Sequence, residues 1–146
     1  MPLATIYGET TPSIAYRDGF KYVLEEQYVD KVPIYPDKDI VTKWVCLSSH
    51  GELLLRAGFG FDGPSGPTID TKSAMRGAAT HDAIYRLLRL GLLDEKWRAV
   101  ADHVYEDKCV EDGMWKIRAW AHFRALRRFG WTAAKKGTEP PTLTAP

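Results

Sequence analysis

His81-Asp82-Ala83-Ile84-Tyr85 follows a loop rich in glycine and proline, Gly58-Phe59-Gly60-Phe61-Asp62-Gly63-Pro64-Ser65-Gly66-Pro67, and precedes Asp102. On a helix, the period of roughly 3.6 residues puts His81 and Tyr85 one turn apart on one face and rotates Asp82 by about 100°. His81 is then placed to take a proton while Asp82 holds a cation. A neutral imidazole works as a base when one ring nitrogen is free and the other is held by an acceptor, which selects the tautomer. Asp102, expected on the next, antiparallel helix, is the candidate for that acceptor. Backbone N–H groups of the glycine loop can stabilise an oxyanion, which is usually the main source of rate acceleration in acyl transfer. These residue types in this order point to hydrolysis.

The order of glycine-rich loop, His-Asp-x-x-Tyr and returning Asp resembles the phospholipase A2 superfamily. In that family the His is the general base for a water, the following Asp binds calcium with loop carbonyls, and the later Asp orients the His. The resemblance implies His81 as base, Asp102 as its orienting partner and Tyr85 as a hydrogen-bonding support for Asp102. It implies calcium on Asp82 and on loop carbonyls between Gly58 and Gly63, with Gly58, Gly60 and Asp62 as candidate ligands. Calcium prefers several carboxylate and carbonyl oxygens, so the set is chemically coherent. Phe59, Phe61, Gly63 and Ser65 are the candidate substrate contacts, for a lipid or another ester.

One departure is plain. Secreted phospholipases A2 flank the His-Asp pair with cysteines in disulfides, and here Ala79, Thr80 and Ile84 stand nearby. With only Cys46 and Cys109 at most one bridge is possible, and the spacing matches neither a zinc ribbon nor a Cys-x-x-Cys motif. Two reduced, buried thiols are expected.

A second resemblance covers roughly Phe20 to Gly130. Gly58-Phe59-x-x-Asp62-Gly63-x-Ser65-x-Pro67, Ala79-x-His81-Asp82-x-x-Tyr85, Ala101-Asp102-x-x-Tyr105 and Ala125-Leu126-x-x-Phe129-Gly130 are similar to the phage and prophage family called domain of unknown function 1353. That likeness implies a phage protein, either packaged in the virion or acting inside the host.

Each signal also has a plainer explanation. The His81, Asp82, Tyr85 and Asp102 group can be a buried network that pins two helices together. Asp62 can form an Asx-type turn, and the glycines and prolines suit any tight loop. His50, His103 and His122 read as surface or core residues, and Arg118, Arg124, Arg127 and Arg128 as a solvated helix face. A cluster of those arginines beside Lys135 and Lys136 would instead suit a phosphate or an acidic partner.

The rest of the chain must position these groups. Its 146 residues suffice for one domain, expected over residues 1–131, with residues 132–146 as a flexible C-terminal tail. A net charge of +1, from 20 basic and 19 acidic side chains, provides no global field for steering to nucleic acid or an anionic membrane, so any such contact must be local. No apolar run nears the roughly 18 residues needed to span a bilayer, and Met1-Pro2-Leu3-Ala4-Thr5 does not open a signal peptide. Synthesis in the host cytoplasm is the expectation.

The predicted fold is α+β, a small N-terminal antiparallel sheet followed by three helices that include the phospholipase A2-like pair. Phe20 to Val29 reads as a strand, and Ile40 to Leu47 with Leu53-Leu54-Leu55 as a hairpin about Ser48-Ser49-His50-Gly51. Asp70, Thr71 or Ser73 can cap a first helix running to about Leu90, which Gly91 ends. Asp94 can cap a second, to about Cys109, before Asp112-Gly113. Trp115, Ala119, His122 or Phe123, Leu126 and Phe129 mark the apolar stripe of a third.

Three functions fit: a phospholipase-like or esterase-like hydrolase; a phage virion or host-interaction protein in which the same residues hold the fold; and, less well, a His-Asp metal phosphohydrolase. The last needs an upstream His, and His50 in a turn is all there is. Interfacial catalysis on lipid would need exposed aromatics beside the glycine loop, for which Trp97, Phe59 and Phe61 are the candidates.

Overall fold

The computed structural model describes residues 12–62 and 71–146, so Gly63, Ser65 and Asp70 lie outside the described residues. The fold is α+β. In chain order the strands are β1 (Ile14–Tyr16), β2 (Tyr22–Val23), β3 (Tyr28–Lys31), β4 (Ile40–Val41), β5 (Val45–Leu47), β6 (Glu52–Leu55), β7 (Gly60–Phe61) and β8 (Leu143–Ala145). The helices are α1 (Lys72–Arg89), α2 (Arg98–Glu111), α3 (Lys116–Phe129) and the single turn α4 (Trp131–Ala134), with a 3₁₀ turn at Glu95–Trp97.

The expected hairpin is β5 and β6, within an antiparallel sheet ordered β3-β6-β5-β4. Alternation decides its faces: Val45 and Leu47 pair with Leu55 and Leu53, and all four side chains are fully buried in the core. The single strand expected from Phe20 to Val29 is instead two. Leu24 leaves the ladder to exchange backbone hydrogen bonds with Phe59 (2.9 Å) and Gly58 (2.8 Å), so β2 pairs with β7 and β3 with β6. That exchange ties the glycine loop to the N-terminal segment.

Thr71 is the N-cap of α1 with an extended backbone, although its hydroxyl meets Ser73 Oγ at 3.0 Å instead of a cap amide. Gly91, at φ +71°, follows the helix end in the left-handed conformation that favours glycine. Asp94 caps the 3₁₀ turn, accepting from the Lys96 amide, and α2 starts only after it. Ile84, Leu87 and Leu88 of α1 are buried, each contributing about 1.5–3 kcal/mol.

Contacts between α1 and α2 run in opposite senses along the two helices, Gly77 to Cys109, His81 to Asp102 and Tyr85 to Arg98, so the pair is antiparallel. Close approach depends on Gly77, where a Cβ would stand 3.2 Å from both Cys109 Sγ and the Tyr105 carbonyl. Sheet and helices are clamped by Asp30 of β3, which accepts from Tyr28 (2.7 Å) and pairs with the buried Lys108 of α2.

Two expectations are revised at the C-terminal end. Ala119 and His122 of the α3 stripe are buried, but Trp115 and Phe129 are exposed. Trp115 is the extended N-cap residue, which takes it off the helical period, and Phe129 is the last residue of the helix. Residues 132–146, expected as a flexible tail, carry most of α4 and β8, and β8 pairs with β1. Glu139 anchors the segment on α1 through Arg86 (3.3 Å) and Arg89 (2.8 Å).

Candidate functional site

The antiparallel α1–α2 register brings His81, Tyr85 and Asp102 together. His81 Nε2 lies 2.7 Å from Asp102 Oδ1, and the Tyr85 hydroxyl donates to the same oxygen at 2.6 Å. Arg127 of α3 donates to Asp102 Oδ2 at 2.8 Å. Asp102 is thus fully buried and yet satisfied by three donors from two other helices. With Nε2 facing a carboxylate, the neutral imidazole carries its proton there and leaves Nδ1 as the acceptor. Nδ1 is 3.8 Å from Asp82 Oδ1, too long for a direct hydrogen bond and suited to a bridging water.

Burial opposes charge on both members of the His81–Asp102 pair, and their mutual bond overrides it. The His81 pKa is raised above its ordinary value because Asp102 and Asp82 favour the imidazolium. The Asp102 pKa is lowered because His81, Tyr85 and Arg127 favour the carboxylate. Burial, with Asp102 alongside, pushes the Tyr85 phenol well up, so it remains a donor.

His81 sits between two tyrosines, with the Tyr85 ring 4.0 Å and the Tyr105 ring 5.7 Å from its own, centroid to centroid. The Tyr105 hydroxyl in turn meets His122 Nδ1 at 2.7 Å. Burial and the Arg118 charge lower the His122 pKa and favour the neutral ring. Burial raises the Tyr105 pKa and keeps its phenol protonated, and when that phenol donates to Nδ1, His122 Nε2 carries the ring proton.

A cavity of about 740 Å³ runs past these groups, within the range of small-molecule sites. His81, Asp82, Asp62 and His122 supply its polar wall; Phe20, Phe59, Leu126 and Phe129 supply much of its apolar wall. Its other end is formed by Arg86, Arg89 and Glu139.

The structure separates the loop candidates. Phe59, Gly60 and Asp62 line the cavity, whereas Gly58 and Phe61 do not. Gly58, at φ +93°, packs where a Cβ would lie 2.8 Å from the Trp44 ring. Phe61 is buried in β7 with its ring 5.6 Å from that of Tyr22. Gly63 and Ser65 fall outside the described residues. Of the aromatics considered for a lipid interface, Phe59 and Phe61 are buried and Trp97 is half-buried.

Calcium requires about six to eight oxygens around one point. The Gly58 carbonyl here accepts from the Arg17 guanidinium (3.1 Å), a cation itself, and the Phe59 carbonyl from the Leu24 amide. Asp82 Oδ2 accepts from the Asp62 amide (3.2 Å), so what the loop presents to this carboxylate is an N–H. Among the described residues no three His, Cys, Asp or Glu gather as a metal site. Of the calcium ligands expected on Asp82, Gly58, Gly60 and Asp62, the Gly58 carbonyl and the Asp82 carboxylate are thus engaged by partners within the chain, and the loop from Gly63 onward lies outside the described residues. His50 is exposed in the β5–β6 turn.

Arg127, His122 and the Arg86–Arg89 pair were not legible as site residues. The α3 arginines look alike in sequence, and only packing shows that Arg127 turns inward to Asp102. Tyr105 carried a signal, in Ala101-Asp102-x-x-Tyr105. Cys109 is buried, with burial raising its thiol pKa to about 11, and Cys46 is half-buried; both are free thiols. Compared with family models, curated proteins and solved structures, the chain matches none, so both family resemblances rest on the quoted motifs alone.

Proposed function

We propose that the chain is a hydrolase of lipid-like esters, with His81 as general base on a water. The observation that carries this reading is one buried imidazole with Nε2 fixed by Asp102 and Nδ1 unblocked beside a large, mostly apolar cavity. Water held between Nδ1 and Asp82 gives its proton to His81 as its oxygen attacks the ester carbonyl, while Asp102 stabilises the imidazolium. The His122 Nε2–H is the donor toward the carbonyl oxygen. On collapse of the tetrahedral intermediate His81 returns the proton to the leaving alkoxide, giving an acid and an alcohol. No step uses a cation.

A second reading is favoured by the complete satisfaction of Asp102: its bonds join α1, α2 and α3, as a purely structural network in a phage virion or host-interaction protein would. Hydrolysis of an acyl ester by purified wild type and by His81→Gln separates the two. The hydrolase reading predicts turnover reduced about 10²–10⁴-fold in the variant. No turnover by wild type, with the variant merely less stable, leaves the structural reading.

A further inference from the structure

α3 presents a second amphipathic face, pointing away from the molecule. Ile117, Trp120, Arg124 and Arg128 recur at helical spacing on the side opposite the buried Ala119 and His122. On that face Ile117 is 75% and Trp120 53% exposed; at the helix end Phe129, toward the cavity side, is 66% and Trp131 of α4 is 57% exposed. Single exposed apolar residues are ordinary; two large ones alternating with two arginines on one helix face, with two more exposed rings at its C-terminal end, mark a docking surface.

Charge on this segment is one-sided. From Gly113 to Thr138 the chain has seven Lys and Arg and no Asp or Glu, although the whole molecule is nearly neutral. Arg124 lies over the Trp120 ring (5.6 Å) on this face, and Arg128 lies over the Phe129 ring (5.4 Å) at its C-terminal end. Tryptophan and arginine together suit the headgroup boundary of a bilayer, where the ring enters the apolar edge and the cation meets phosphate. The exposed Ile117 favours a lipid surface over nucleic acid, which provides no acyl layer to receive it. The same helix forms one side of the cavity through Ala121, Ala125 and Phe129, so the patch runs to the cavity wall.

We propose that the outward face of α3, continued by Trp131, docks the protein on an anionic lipid bilayer. The docking rests on these side chains alone; only its use in delivering an acyl chain to His81 rests on the hydrolase reading.

Co-sedimentation of the full chain with vesicles of phosphatidylglycerol and phosphatidylcholine, against phosphatidylcholine alone, tests it. Wild type should partition onto the anionic vesicles and detach as salt is raised. Two arginines near an anionic surface account for about ten-fold or more in partitioning, so Arg124→Gln with Arg128→Gln should lose at least that much. Trp120→Ser with Trp131→Ser should lose binding with an unchanged unfolding midpoint, since both rings are exposed. His81→Gln should bind like wild type, which keeps failure of hydrolysis distinct from failure of docking. Wild type remaining in the supernatant, variants that bind as well as wild type, or retention on single-stranded DNA but not on vesicles would each overturn the proposal.

Discussion

Asp102 is the residue on which the site turns, because one buried carboxylate fixes the His81 tautomer, accepts from Tyr85 and neutralises Arg127. Its signature is a pH dependence with two limbs. The raised His81 pKa contributes stability that is fully present below the unfolded value of about 6.5 and is lost as pH rises through the folded value. The lowered Asp102 pKa contributes stability present above about 3.8 and lost as pH falls through its folded value. Urea unfolding across pH should therefore show wild type losing stability on the alkaline side relative to His81→Gln, and parallel curves would contradict the pairing. Asp102→Asn should cost about 3–5 kcal/mol in the same assay, because it leaves Arg127 and His81 without their anion. The His-Asp-x-x-Tyr spacing made half of this network legible, since helical geometry alone puts His81 beside Tyr85. Arg127 was hidden because no spacing rule shows which arginine of a basic helix turns inward.

At the scale of elements, the antiparallel α1–α2 contact sets the His81–Asp102 distance, and Gly77 sets how closely the helices approach. Gly77→Val would press a branched side chain against Cys109 Sγ and the Tyr105 carbonyl, and overpacking of this kind costs about 1–3 kcal/mol. Denaturant midpoints should fall accordingly, and activity should fall further than stability if the helices part at the dyad. An unchanged midpoint would mean that the helices yield without cost. The helix ends were readable from Gly91, Asp94 and Asp112-Gly113, each with a local physical role. The division of the first strand was not, because Leu24 is drawn from the ladder by a backbone partner more than thirty residues away. Trp115 and Phe129 matched the apolar period of α3 yet are exposed, since period buries a residue only while the helix and its neighbour both continue.

In the whole molecule, the first and last described strands close on each other: β8 pairs with β1, and Glu139 pairs with Arg86 and Arg89 at one end of the cavity. A Pro-rich segment with little apolar pattern read as a tail because its anchors are an ion-pair cluster and a distant strand, neither of which leaves a periodic trace. Removing the partly buried Glu139 carboxylate should cost about 1–3 kcal/mol, so Glu139→Gln should lower the thermal midpoint by several degrees. No change on thermal unfolding would mean that the segment adds nothing to the fold. Compaction of this kind leaves the cavity bordered on one side by α3, whose outer face carries the exposed Ile117 and Trp120, and on the other by His81.

The pH profile of ester hydrolysis by wild type, His81→Gln and Asp102→Asn tests the central claim most directly. The account predicts wild-type activity that rises with pH through a single ionisation above about 6.5, as His81 loses its proton, with that limb lost in both variants. Hydrolysis that persists in His81→Gln with the same pH limb would contradict His81 as the base.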